Sequence, residues 1–147
     1  MKATWLYRIA AILLLLFAAG HTIGFLKFVP PTPEGKAVMD AMNNVPLQPG
    51  APFTYGGFYR GFGFFVTVYL LFAAFLAWQL GELARKFPAA AGSLPWAFFF
   101  LQLASLALSW RYFPAPPVVL SAFPALCAGW AAFLMRSASA SRSSEGA

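Results

Sequence analysis

Few side chains in this chain can do chemistry, and they sit near the ends of long apolar runs. The stretch "GHTIGF", residues 20–25, holds the only histidine, His21, followed by Thr22 and flanked by Gly20 and Gly24. A second stretch, "YGGFYRGFG" at 55–63, carries Tyr55, Tyr59 and Arg60, and a third, "SWRYF" at 109–113, carries Arg111 and Tyr112. Imidazole changes charge near neutral pH without any perturbation, so His21 is the candidate acid or base, and no other catalytic residue can be named. Guanidinium and phenol groups are donors suited to a polar or anionic head group. His21, Tyr55, Tyr59, Arg60, Arg111 and Tyr112 therefore form the candidate ligand-binding set.

The same inventory excludes several chemistries. One histidine rules out bis-histidine haem ligation within a single chain, and a His and Met pair using Met39 or Met42 has no supporting motif. Zinc lacks ligands, so no metal site is expected. No nucleophilic serine with a companion base is evident, nor a glycine-rich phosphate loop followed by a lysine. What survives is binding of an amphiphile such as a quinone, a lipid or an isoprenoid, with Arg60 and Arg111 on the head and His21 exchanging a proton. No cofactor is predicted, although a quinone or lipid fits the chemistry. The plainer alternative is that His21 is a neutral packing residue bonded to a carbonyl or hydroxyl and that Arg60 snorkels to lipid phosphate.

The elements that must position these groups follow from composition. Hydrophobic residues make up 61% of the 147 and charged residues 10%, against about 25% charged in soluble domains. The chain reads as an integral membrane protein, all-α, because backbone amides in lipid must be bonded inside their own segment and the runs lack the alternation of barrel strands. Four blocks are each long enough for a hydrocarbon core of about 30 Å, at about 5–29, 57–80, 94–113 and 117–135. They predict a four-helix bundle forming one domain over 1–135, with 136–147 a disordered Ser-rich cytoplasmic tail.

The net charge of +6 comes from cations scattered at block ends, without a nucleic-acid motif, so no nucleic-acid partner is expected. With the N-terminus inside, Lys2, Arg8, Arg85, Lys86, Arg136 and Arg142 face the cytoplasm, and Lys27, Lys36, Arg60 and Arg111 lie outside. Trp5, Trp78, Trp96 and Trp130 then fall towards the inner interface and Trp110 at the outer one. Both patterns favour cytoplasmic termini. Lys2 and Arg8 ahead of "IAAILLLLFAAG" imitate a secretory signal, but the apolar character resumes as "TIGFLKFV", so an uncleaved first span is expected. Cys127 stands alone and reads as a small packing residue.

The sizeable loop between the first two spans contains "TPEGKAVMDAMNNV". Thr32 before Pro33 and Glu34 is a helix start, and Ala37, Val38, Ala41, Met42 and Val45 recur on one side. This predicts a short amphipathic helix, resting either on the outer mouth of the bundle or on the lipid interface. Gly20 with Gly24, and Gly57 with Gly61, have small-xxx-small spacing and are expected to form the packing surface between spans one and two. Counting back from Val29 puts His21 about 12 Å inside the outer end of its helix, and Arg60 about 5 Å inside the next, which allows the two to meet.

The stretches "GHTIGF", "PPTPEG", "AMNNV", "YGGFYRGFGFF" and "LASLALSWRYF" resemble a family of short uncharacterised bacterial four-span membrane proteins, over most of residues 5–135. The resemblance implies the fold and a bacterial inner-membrane location and carries no activity. The helix count is also similar to that of DoxX-type membrane proteins, without a matching motif. The expected function is a non-enzymatic binder of a lipid-like ligand or an accessory subunit of a larger membrane complex, with the bilayer, other membrane subunits or a second copy as partners. The alternative is a membrane enzyme acting on a quinone or isoprenoid through His21.

Overall fold

The computed structural model describes the backbone of residues 2–145 and the side chains of residues 2–137. Helices take up 85% of it, and no strand forms among the described residues. In chain order the elements are α1 (Lys2–Leu26), α2 (Pro33–Asn44), α3 (Tyr55–Lys86), a 3-10 turn (Pro88–Ala91), α4 (Leu94–Tyr112) and α5 (Ala115–Glu145). Three stretches are long and apolar enough to cross a membrane: α1, α3, and α5 over Ala115–Ser137. α4 has the expected bounds but not the same apolar character, because Gln102, Ser105, Ser109 and Arg111 dilute it. α5 continues through the Ser-rich segment to Glu145, where a disordered tail was expected from residue 136. No proline or glycine interrupts that segment before Gly146, so nothing in it terminates the helix.

The chain, read above as one domain, divides into two compact units, residues 18–69 and residues 1–17 with 70–147. In the larger unit the buried positions include Tyr7, Ala10, Ala11, Leu14 and Phe17 on α1, Leu70, Ala73, Ala74, Ala77 and Leu80 on α3, Phe98 and Gln102 on α4, and Ser121, Ala125, Ala128, Ala131, Ala132 and Met135 on α5. Steps of three and four place each set on one helix face. The inner faces of α3 and α5 are mostly alanine and α1 sets Tyr7, Leu14 and Phe17 beside its two alanines, whereas Ile9, Ile12, Leu16, Phe72, Phe75, Phe123, Leu126 and Trp130 are exposed. Small residues inside and large apolar ones outside let backbones approach and leave the bulk to lipid.

α4 and α5 form an antiparallel pair. Near the turn between them the hydroxyls of Ser109 and Ser121 lie 3.0 Å apart. Further along, a Cβ placed on Gly129 would stand 2.7 Å from the ring of Phe99, so that glycine admits the ring. Pro124 lies inside α5 and is fully buried.

The smaller unit holds the end of α1, all of α2 and the start of α3. Thr32 caps α2 as the sequence indicates, its Oγ1 accepting from the Gly35 N–H at 3.1 Å with Pro33 in the first turn. No residue of α2 is buried. Beyond it the Leu47 N–H donates to the Phe53 carbonyl at 2.8 Å, closing a loop that turns at Gly50, whose φ of +76° suits glycine. Thr54 Oγ1 then accepts from the Gly57 N–H at 3.1 Å and starts α3.

The glycine contacts differ from expectation. A Cβ at Gly20, Gly24 or Gly61 would meet nothing within 4 Å, and one at Gly57 would meet only Thr54 of its own cap. Close approach in this unit falls instead on Gly63, where a Cβ would stand 2.9 Å from the Phe25 ring, on Gly56, where it would run into Asn43, and on Gly35, where it would stand 2.9 Å from Pro30. In the larger unit Gly81 fits against the Thr4 carbonyl and Tyr7 Cβ, both at 3.4 Å from its Cβ position. The spacing was visible in sequence, but the rotation of each helix decides which glycine meets a neighbour.

Gly63→Leu and Gly129→Leu are each expected to lower the stability of the detergent-solubilised protein by about 1–3 kcal/mol through overpacking. Gly24→Leu and Gly61→Leu, with open space and a gain in helix propensity, should be close to neutral. Thermal unfolding of the four variants checks this, and a loss at Gly24 matching that at Gly129 would contradict it.

Candidate functional site

His21 is half-buried on α1, and its Nε2 lies 3.0 Å from the carbonyl oxygen of Gly63 on α3. A carbonyl only accepts, so Nε2 carries the proton. The ring also packs on Phe25, with centroids 5.2 Å apart, and Phe25 meets Phe64 edge-on at 5.3 Å. Beside the imidazole, the hydroxyls of Thr22 and Thr67 lie 2.8 Å apart, with Thr22 Oγ1 2.7 Å from the Ala18 carbonyl and Thr67 Oγ1 3.2 Å from that of Gly63. Two hydroxyl protons cannot fill three such contacts. The two short ones are consistent with Thr67 donating to Thr22 and Thr22 donating to Ala18, which leaves the Gly63 carbonyl to His21. The imidazole is thus a hydrogen-bonded contact between two helices, the plainer of its two sequence readings.

Of the expected ligand-binding set, Tyr55, Tyr59 and Arg60 share the unit of His21. They are exposed on the first turns of α3, and no hydrogen bond or ion pair links them to His21 among the described residues. Arg111 and Tyr112 belong to the other unit, at the end of α4, where the Arg111 guanidinium lies 5.2 Å from the Tyr112 ring centroid. No three His, Cys, Asp or Glu side chains converge among the described residues.

The larger unit contains a cluster that the sequence reading passed over. Glu82 on α3 accepts from Arg8 on α1 through Oε1, and its Oε2 takes Arg85 at 2.6 Å and Lys86 at 3.4 Å. Arg8 and Glu82 side chains are each 24% exposed, so the link between helices is largely sheltered while Arg85 and Lys86 stay open. The Arg8 guanidinium also lies over the indole of Trp78, 3.4 Å from its centroid, a cation–π contact. Next to this pair Thr4, Trp5, Arg8 and Ile12 of α1 and Trp78 and Arg85 of α3 line a groove of about 430 Å³. Its lining is almost wholly apolar. Thr4 and Arg85 stand at one end, near where Gly81 meets the Thr4 carbonyl, and Ile12 lies two turns further along α1 than Thr4.

Arg8, Arg85 and Lys86 looked like topology signals, and Trp5 and Trp78 like belt residues. The available signal was Glu82, an acid at the end of an apolar run with cations three and four residues later. Its partner across the helix gap, Arg8, had no local mark.

His21→Phe keeps the bulk of the ring and removes its N–H, so it should cost about 0.6 kcal/mol and no more than about 2 kcal/mol, the range for interhelical hydrogen bonds in membrane bundles. Thermal unfolding in detergent measures it, and a larger loss would mean that the imidazole supports more than the bond to Gly63. No protein-family model, no curated protein and no solved structure matches the chain.

Proposed function

We propose that this chain is a four-span protein of the bacterial inner membrane, with both termini cytoplasmic, that binds a lipid-like amphiphile without catalysing a reaction on it. The groove between α1 and α3 carries this reading. Its lining is almost wholly apolar, with Trp5, Ile12 and Trp78 exposed to the surroundings, and Arg8 and Arg85 are its charged lining residues, which suits an acyl chain with a polar head at the rim. A soluble protein would not leave two indoles and an isoleucine open beside arginines, whereas the edge of a bilayer suits both.

Two observations support the fourth crossing. α4 has 19 residues, about 28 Å of helix, close to the thickness of a hydrocarbon core. It also lies antiparallel on α5, which is apolar enough to span, through the Ser109–Ser121 and Phe99–Gly129 contacts. In this topology Arg8, Arg85, Lys86 and Arg136 share the cytoplasmic side with the groove, consistent with the positive-inside rule. The non-enzymatic reading is supported by His21, whose protonated nitrogen is committed to the Gly63 carbonyl.

Mass spectrometry of protein purified in mild detergent should find an amphiphile retained, and Trp78→Ala should reduce that retention while Arg60→Ala leaves it unchanged. A stoichiometric protein partner with equal lipid retention in both variants would favour an accessory-subunit role instead. For topology, Gln48→Cys in a Cys127→Ala background should react with an impermeant maleimide from outside intact cells, and Ser137→Cys should not. Labelling at position 137 from outside would reverse the orientation.

A further inference from the structure

We infer that the groove takes an anionic phospholipid, its phosphate on Arg8 and Arg85 and an acyl chain running towards Ile12. This rests on the amphiphile-binding reading above and adds the charge class of the head group. The argument starts from the balance of charges around Glu82. One carboxylate serves Arg8, Arg85 and Lys86, so the cluster keeps a positive excess, and of its members Arg8 and Arg85 line the groove while Glu82 and Lys86 line a neighbouring depression. The other acids with described side chains, Glu34 and Asp40, belong to the other unit. Cationic pockets between helices at the membrane surface attract anionic head groups.

Geometry selects the phosphate further. A guanidinium has five N–H donors, and the contact of Arg8 with one oxygen of Glu82 leaves others for an oxyanion. Its face is held against Trp78, which fixes the plane of the fork, and the side chain keeps 24% of its surface exposed. A choline head group is disfavoured by charge. Its quaternary ammonium meets an excess of like charge, and one face of Trp78 is already covered by Arg8 at 3.4 Å, which leaves Trp5 as the free indole for a cation–π contact.

The test uses the full chain in detergent, titrated with phosphatidylglycerol or with phosphatidylcholine of the same acyl composition and followed by native mass spectrometry. Phosphatidylglycerol should bind at least about tenfold tighter, and the preference should shrink as salt rises. Arg85→Ala should remove most of the preference. Its side chain is 54% exposed and the Arg8–Glu82 link stays intact, so the fold is preserved. Glu82→Gln raises the positive excess and should tighten phosphatidylglycerol binding without improving phosphatidylcholine. Equal binding of the two lipids, or a preference unchanged by Arg85→Ala, would overturn the inference and leave the amphiphile reading standing. Binding of neither lipid would remove that reading as well. Displacement of phosphatidylglycerol by millimolar inorganic phosphate at constant ionic strength would overturn the lipid assignment in favour of a free-anion site.

Discussion

A hydrocarbon layer contains no water to receive a backbone N–H or C=O, so each amide must be satisfied within its own helix before any side chain is placed. Long uninterrupted helices follow from that constraint, as α1, α3 and α5 illustrate. Since lipid tails compete equally well for apolar side chains, bulky residues gain nothing by turning inward. Backbones approach where side chains are small, and the alanine faces of α3 and α5 in the larger unit are the result.

The same constraint governs polar side chains. Thr22, Ser105, Ser121 and Ser137 each bond to the carbonyl one turn earlier in their own helix, which hides the hydroxyl without opening the ladder. Some reach further. Thr22 meets Thr67, Ser109 meets Ser121, and His21 meets Gly63, so the polar atoms become links between helices. The Tyr7 hydroxyl and the Gln102 amide nitrogen are buried in the larger unit without a partner among the described residues, although the Tyr7 ring is held edge-on by Phe98.

Full charges follow a different rule, because they are tolerated only near a polar boundary or next to a counter-charge. Glu82 satisfies both conditions. It lies within the last two turns of α3 and holds one arginine across the helix gap and two cations on its own helix. Packing of Gly81 against α1 brings the backbones close enough for Arg8 to reach it. The groove is a by-product of that closeness, since Arg8 is drawn over Trp78 and the space beside them is left between Trp5, Ile12 and Arg85.

Sequence by itself determined the all-helical class, the presence of membrane-capable spans, the bounds of α4 and the cap of α2, because all of these depend on local composition and neighbours within a few residues. The Thr32, Pro33, Glu34 signature needs nothing beyond its own turn. Tertiary structure decided which residues meet. Gly63 rather than Gly61 faces a neighbour, His21 finds a carbonyl rather than Arg60, and Arg8 pairs with Glu82 across 74 residues of chain. The physical reason is rotational. Each residue turns a helix by about 100°, so a one-residue difference moves a side chain from contact to lipid, and only packing against another helix sets that angle.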